Sequence, residues 1–271
     1  MAVRSALFTV MDRAVRKAGR ALVRDFGEVE NLQVSVKGPG DFVSAADRRA
    51  EQTLREELQR ARPGYGFLME ESGEVAGDGV HRWIIDPLDG TTNFLHSIPH
   101  FAISVALERG GDIVAGLVYN PVQDELFWAE RGHGAFLNDR RLRVSGRKNL
   151  GEALVGTGIP FQARGDHPAY LRQLAAVMAR TAGVRRMGAA ALDLAYVAAG
   201  RLDAFFEYDL NAWDVAAGAL LVREAGGFVE DIDGRQNAVR TGNVIAANGT
   251  FLGPLGRILR AAAKDSPKSP A

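Results

Sequence analysis

The spacing of hydrophobic positions changes several times along the chain, and each change marks a predicted element. Leu7, Val10, Met11, Ala14, Ala18, Ala21 and Leu22 recur near helical spacing among scattered charges, which predicts a surface helix laid on a core. Residues 32–36 alternate like a short strand, and K-G-P-G-D at 37–41 reads as a flexible loop. Ser44-Ala45-Ala46-Asp47 opens a helix, the acid standing three residues after a serine cap, and Arg62-Pro63-Gly64 stops it. Two apolar runs follow, at 66–69 and 83–85; the first ends in Glu70-Glu71 and the second in Asp86.

Strand signals then dominate. Segments 102–108 and 113–119 flank Gly110-Gly111 as a hairpin, and 126–129, 135–137 and 142–144 continue the series. Beyond residue 150 short strand and helix patterns alternate, with helices expected at 168–180, 190–199, 212–225 and 251–263. The pattern predicts a mixed α/β (α+β) fold. Residues 1–150 form an N-terminal lobe of helices plus antiparallel sheet, and 151–263 a C-terminal α/β lobe, in one compact body. Residues 264–271, K-D-S-P-K-S-P-A, read as a disordered tail.

Composition narrows the chemistry. Thirty-three basic residues cancel thirty-three acidic ones, so direct nucleic-acid binding, which draws on a basic excess, is not expected. The chain has no cysteine, which excludes disulfides, thiolate metal sites and cysteine nucleophiles and fits a cytoplasmic location. Charges interrupt every long apolar stretch, so neither a membrane span nor a signal core is expected.

Acids at the ends of apolar runs are the main chemical signal. F-L-M-E-E, W-I-I-D-P-L-D and A-F-F-E-Y-D each lead from hydrophobic residues into carboxylates, and Asp214 opens the otherwise apolar A-W-D-V-A-A-G. Buried carboxylates are costly unless neutralised. If Glu70, Asp86, Asp89 and Asp214 converge, an oxygen-only donor set favours magnesium, manganese or calcium over zinc. In D-P-L-D-G-T-T, Pro87 restricts the backbone so that both aspartates can face one point, and the Leu88 carbonyl is a further oxygen. Gly90 permits close approach, and Thr91-Thr92 would open a short helix whose free N–H groups suit a phosphate. A plain turn is the alternative reading of D-P-L-D-G. A calcium-binding helical-hairpin loop does not fit, because its third, fifth and twelfth positions would be Leu88, Gly90 and Ser97.

Five segments in order carry a resemblance: K-G-P-G-D-F-V-S-A-A-D (37–47), E-E-S-G (70–73), W-I-I-D-P-L-D-G-T-T-N-F (83–94), A-A-L-D-L-A-Y-V-A-A-G-R-L-D-A-F-F-E (190–207) and W-D-V-A-A-G-A-L-L-V-R-E-A-G-G (213–227). Together the chain resembles the inositol monophosphatase family of lithium-sensitive, magnesium-dependent phosphatases, in its bacterial inositol-1-monophosphatase-like branch. The resemblance implies a layered α-β-α-β-α sandwich, usually homodimeric, with two or three Mg²⁺ ions per active site. By motif match, Glu70, Asp86 and the Leu88 carbonyl would hold one ion. Asp86, Asp89 and Asp214 would hold a second, and a weaker third would sit near Glu70. Thr91, bonded to Asp47, would help activate the water that attacks phosphorus directly, while Gly90 and Thr91 seat the phosphate.

On the substrate side the resemblance implies that Glu207 reads an inositol hydroxyl and that Gly188, Ala189 and Ala190 pass beside the ring. Lys37 and Asp41 match a mobile lid. Ala189 replaces a frequent serine or threonine, and Met69 a frequent glycine. Fructose 1,6-bisphosphate, histidinol phosphate and 3′-phosphoadenosine nucleotides are the alternative substrates within the superfamily. Some bacterial relatives associate with the transcription machinery. Taken from spacing alone, Asp47 reads as a helix-capping acid, and Asp203 and Asp209 as surface acids.

Overall fold

The computed structural model describes residues 4–28, 34–38, 41–160, 165–234 and 237–264. The elements of the first half are α1 (Ala6–Phe26), β1 (Val34–Gly38), β2 (Asp41–Ser44), α2 (Ala45–Ala61), β3 (Gly66–Met69), β4 (Gly73–Val75), β5 (His81–Asp89), α3 (Thr91–Leu95), β6 (Ala102–Arg109), β7 (Asp112–Asn120), β8 (Glu125–Glu130), β9 (Gly134–Leu137) and β10 (Arg140–Arg141). Those of the second are β11 (Leu154–Thr157), α4 (His167–Met178), β12 (Gly183–Arg185), α5 (Ala190–Ala198), β13 (Ala204–Glu207), α6 (Ala212–Glu224), β14 (Phe228–Asp231), α7 (Ala238–Thr241), β15 (Val244–Ala247) and α8 (Leu252–Lys264).

Strands β3 to β10 make an eight-stranded sheet in the order β10-β9-β8-β7-β6-β5-β3-β4, and β11 to β15 a five-stranded sheet in the order β12-β11-β13-β15-β14. Successive side chains of a strand face opposite ways, so each sheet must bury two faces. On β5, Trp83 and Ile85 pack with Phe8 and Leu22 of α1 and Leu54 of α2. Ile84 between them turns to the opposite face and packs with α5 and α6. The second sheet repeats the arrangement. Phe205 and Ala246 join the α5–α6 cluster, while Phe206 and Ile245 pack with Val177 of α4 and Leu259 of α8.

Helices α5 and α6 therefore lie between the two sheets. Their sequences fit that place, since A-A-L-D-L-A-Y-V-A is buried along its whole length and carries no solvent face. The result is the expected α-β-α-β-α sandwich. Gly116 of β7 permits the close approach of α6, because a side-chain carbon there would stand 2.9 Å from both Cα and the carbonyl oxygen of Ala217.

Three expectations are corrected at the level of elements. Residues 142–144 are not a strand; the chain leaves the sheet after β10, although the Leu142 N–H still donates to the Ala135 carbonyl at 2.8 Å. Lys37 and Asp41 are not loop residues but lie in β1 and β2, which pair antiparallel with Val36 opposite Phe42 and Gly38 opposite Asp41. The valines and phenylalanine of V-S-V-K-G and D-F-V-S favour that ladder. Lys264 closes α8, and the predicted tail at 265–271 lies outside the described residues. Among the described residues no helix is long and apolar enough to cross a membrane.

Candidate active site

Strand β5 does not stop at Asp86 in a turn; it runs on through Pro87 to Asp89. Asp86 is paired with Ser104 of β6 and Asp89 with Ala102, so three steps on β5 face two on β6. One extra residue in a ladder is a bulge, and a bulge reverses the faces that follow it. Regular alternation would leave Leu88 on the same side as Ile84. Instead Leu88 packs in the cluster with α1 and α2, and Asp89 turns towards α5 on the other side. Two aspartates at an odd spacing thus share one face of the sheet. Both are buried, Asp86 to 2% exposure and Asp89 to 8%.

Backbone donors hold these carboxylates. The Leu88 N–H donates to Asp86 Oδ1 at 2.9 Å. The first N–H groups of α5 donate to Asp89, Ala190 to Oδ1 at 3.2 Å and Ala191 to Oδ2 at 2.7 Å. Asp214, in the first turn of α6, accepts from the Asn211 N–H at 2.7 Å. That helix is fixed to the first sheet by Ser104 Oγ, which donates to the Trp213 carbonyl at 3.0 Å. Burial holds Asp86 well above the usual carboxylate range, and the charges of Glu70, Asp89 and Asp214 raise it further. Burial also lifts Asp89 to about 7, opposed by the Ala191 N–H and reinforced by Glu70. Asp214 is pushed up to about 8 by burial and then by the charge of Asp89.

Among the described residues, no three acidic or histidine side chains are already gathered into a coordination shell. Backbone N–H groups take one oxygen of Asp86, one of Asp214 and both of Asp89, and Asp86 also lies within side-chain hydrogen-bonding reach of Glu70 and Asp214. The donor set nevertheless fits a hard divalent cation. It is all oxygen, mutually repelling, and without a lysine or arginine ion pair at Asp86, Asp89 or Asp214 among the described residues.

Thr91 stands at the end of the bulge, where Gly90 takes a φ of 91° and α3 begins. The Thr91 hydroxyl lies 3.1 Å from Asp47 Oδ1 and 3.0 Å from the Leu88 carbonyl. Asp47 caps α2 as its spacing predicted, accepting the Ser44 N–H at 2.9 Å on Oδ2, and its other oxygen faces Thr91. Burial raises the pKa of Asp47, while hydrogen bonds from Ser44 and Thr91 pull it back. A cavity of about 620 Å³ opens over this region, lined by Glu70, Asp89, Gly90, Thr91 and Asp214 together with Gly188, Ala190 and Glu207. Asp86 and Asp47 lie behind the wall rather than on it.

The sequence profile described as the inositol monophosphatase family matches residues 4–266. The chain belongs to the inositol monophosphatase family. It is 64% identical over 246 residues to the inositol-1-monophosphatase of Mesorhizobium japonicum, covering 90% of this chain and 92% of that one. It is 48% identical over 241 residues to the Nus factor SuhB of Pseudomonas aeruginosa, covering 87% and 89%. The crystal structure of the extragenic suppressor protein suhB from Bartonella henselae superposes with a TM-score of 0.92 at 59% identity, covering 94% of this chain and 99% of that one.

In this family member the structure also brings in residues that the sequence reading passed over. Asp193 of α5 is buried, and its Oδ1 has no hydrogen-bond partner among the described residues. Burial and the charge of Asp89 hold it well above the carboxylate range, and Arg186 opposes them. An acid inside an otherwise apolar helix was the available signal. Asn93 and Arg186 were also missed, although Asn93 lies within the D-G-T-T-N-F motif. Asp203 is not a surface acid: it is 1% exposed, pairs with Arg147 at 3.0 Å and accepts the Leu154 N–H at 2.8 Å. Asp209 is exposed, as expected, at the cavity rim. Strand β2, which carries Asp41, packs beside α3.

Proposed function

We propose that this chain is a magnesium-dependent phosphomonoesterase acting on myo-inositol monophosphate or a similar small polyol phosphate. The observation that carries the reading is the β5 bulge, which turns Asp86 and Asp89 to the side where their charges meet those of Glu70 and Asp214. Glu70, Asp86 and the Leu88 carbonyl would hold one ion, and Asp86, Asp89 and Asp214 another, and a weaker third would sit near Glu70. Bound there, the ions supply an acidified water and offset charge on the phosphoryl oxygens.

The chain's own side chains do the remaining work. Thr91 orients the attacking water: its hydroxyl proton is engaged by Asp47 or the Leu88 carbonyl, which leaves its oxygen to accept from that water. Glu70, which lines the cavity, would take part in removing the proton. The N–H groups of Gly90 and Thr91 seat the phosphate. Across the cavity Glu207 accepts a hydrogen bond from a substrate hydroxyl, with Gly188 and Ala190 beside the ring. Lys37 and Asp41, on the β1–β2 hairpin, serve the lid.

Relatives support this reading, since the Mesorhizobium protein carries the name inositol-1-monophosphatase. A panel of phosphate esters tests it: kcat/KM with Mg²⁺ is expected to be highest for myo-inositol 1-phosphate. A clear preference for fructose 1,6-bisphosphate, histidinol phosphate or a 3′-phosphoadenosine nucleotide would overturn the substrate.

The place of Glu207 makes a further prediction. Its carboxylate lies directly over the Cα of Gly158, where any added methyl would overlap it. Gly158→Ala is expected to displace Glu207 and raise KM for myo-inositol 1-phosphate about tenfold, with kcat changed much less. An unchanged KM would remove Glu207 from substrate recognition.

Association with the transcription machinery is a second reading, favoured by the name Nus factor SuhB borne by the Pseudomonas relative. Co-purification of RNA polymerase subunits with the inactive Asp89→Asn variant would support it as a separate role.

A further inference from the structure

The substrate cavity is built from two sheets. The phosphate side comes from β5 and α3, and the ring side from the segment between β12 and α5 and from β13. A substrate held at both ends requires the two sides to keep a fixed separation, and an error of an ångström there is costly. Among the described residues, several side-chain contacts cross the boundary close to the site. Asp86 meets Asp214, Asp89 reaches the N–H groups of α5, and Ser104 reaches Trp213. A further one is Asn93, which no step described above uses.

Asn93 is buried to 6% exposure in α3. Its Nδ2 donates to the His100 carbonyl at 2.8 Å and to the Met187 carbonyl at 2.8 Å, and the Gly188 carbonyl stands at 3.4 Å. A carboxamide nitrogen carries two protons, and the two short bonds use both. One of them binds the loop that follows α3; the other crosses to a residue ninety-four positions away. The same carbonyls crowd Gly90: a side-chain carbon there would lie 3.0 Å from the His100 oxygen and 3.3 Å from the Gly188 oxygen. The backbone carbonyl of Asn93 accepts from the His96 N–H at 3.1 Å and the Ile98 N–H at 2.8 Å, closing the end of α3. Phosphate seat, following loop and ring wall thus meet at one side chain.

We infer that Asn93 is a positioning residue whose carboxamide clasps the phosphate seat at 90–92 to the Met187–Gly188 wall and so sets the selectivity for a hydroxyl-bearing cyclic phosphate. The inference rests on the proposed reading of the site. Asp89 also crosses the boundary, but its removal disturbs metal binding and spacing together. Asn93 touches no proposed ligand, so spacing alone changes when it is replaced. A phosphate ester that offers the ring wall no hydroxyl depends on the seat only. A cyclic polyol phosphate depends on both sides.

The test compares kcat/KM for myo-inositol 1-phosphate with that for p-nitrophenyl phosphate, in the full chain with Mg²⁺, for the parent, Asn93→Ala and Asn93→Asp. Asn93→Asp keeps the size but replaces both donors with acceptors facing carbonyls. The ratio of the two values is expected to fall roughly tenfold or more in both variants, mainly through KM for the inositol ester. Parallel losses on both substrates, or an unchanged ratio, would overturn the inference while leaving the site reading intact. If the parent hydrolyses neither ester, the site reading itself fails. Asn93→Ser, which retains one donor, is measured in the same way should the other variants not fold. Failure of all three to fold would make Asn93 a residue of the fold and overturn its assignment to selectivity.

Discussion

Asp89→Asn is expected to lower phosphate release by on the order of 10³-fold while leaving the metal-free protein at least as stable as the parent. The two halves of that result have one cause. Asp89 lies on the bulged face of β5 with its charge opposed by those of Glu70 and Asp214, and burial adds to the cost of ionising it. The isosteric amide keeps an oxygen for the shorter of the two bonds, that from the Ala191 N–H, gives up the longer one from Ala190, and removes one of the repelling charges at a site where burial already disfavours ionisation. Stability without metal is therefore held or raised, while a ligand to the ion is lost. Activity assays and thermal unfolding in chelator check both halves. Turnover near the parental level would refute the role of Asp89, and collapse of the fold would assign it to structure.

The second large effect is a dependence of metal stabilisation on pH. Asp89 is raised to about 7 and Asp214 to about 8, from an ordinary value of 3.8, and Asp86 is raised well above it. An acid whose folded pKa is raised keeps its proton in the folded state after the unfolded chain has released it. Its contribution to stability is complete below pH 3.8 and is lost as pH rises towards 7–8. The metal-free protein is thus expected to lose on the order of a few kcal/mol across this window. A divalent cation binds the ionised carboxylates and competes with those protons. The difference in Tm between Mg²⁺ and chelator should widen between pH 5 and 8, by about 5 °C or more. A difference that stays level or narrows as pH rises would show that these carboxylates do not bind the ion.

Much of this was legible in the chain. The caps, the Gly110-Gly111 hairpin and the largely apolar helices α5 and α6 follow from local patterns whose physical basis lies within a few residues. The acids at strand ends were visible because an apolar run into a carboxylate needs an explanation. The bulge was not visible. D-P-L-D-G has the residues of a turn, and only pairing with β6 shows that the chain stays in the sheet and that one extra residue aligns the two aspartates. Lys37 and Asp41 were misplaced for a related reason, since Gly38, Pro39 and Gly40 obscured the strands on either side. Asp193 and Asp203 were underweighted because burial depends on partners that are distant in sequence. Asn93 reads as one more polar residue in a motif until its bond to Met187, ninety-four positions away, is seen.

Phosphate release from myo-inositol 1-phosphate, measured for the parent chain with Mg²⁺ and again after metal removal, tests the central claim most directly. Rapid hydrolysis that is lost in chelator and restored by added Mg²⁺ is the predicted result. Release at the same rate in chelator, or no release from this ester or any other polyol phosphate with Mg²⁺ present, would contradict it.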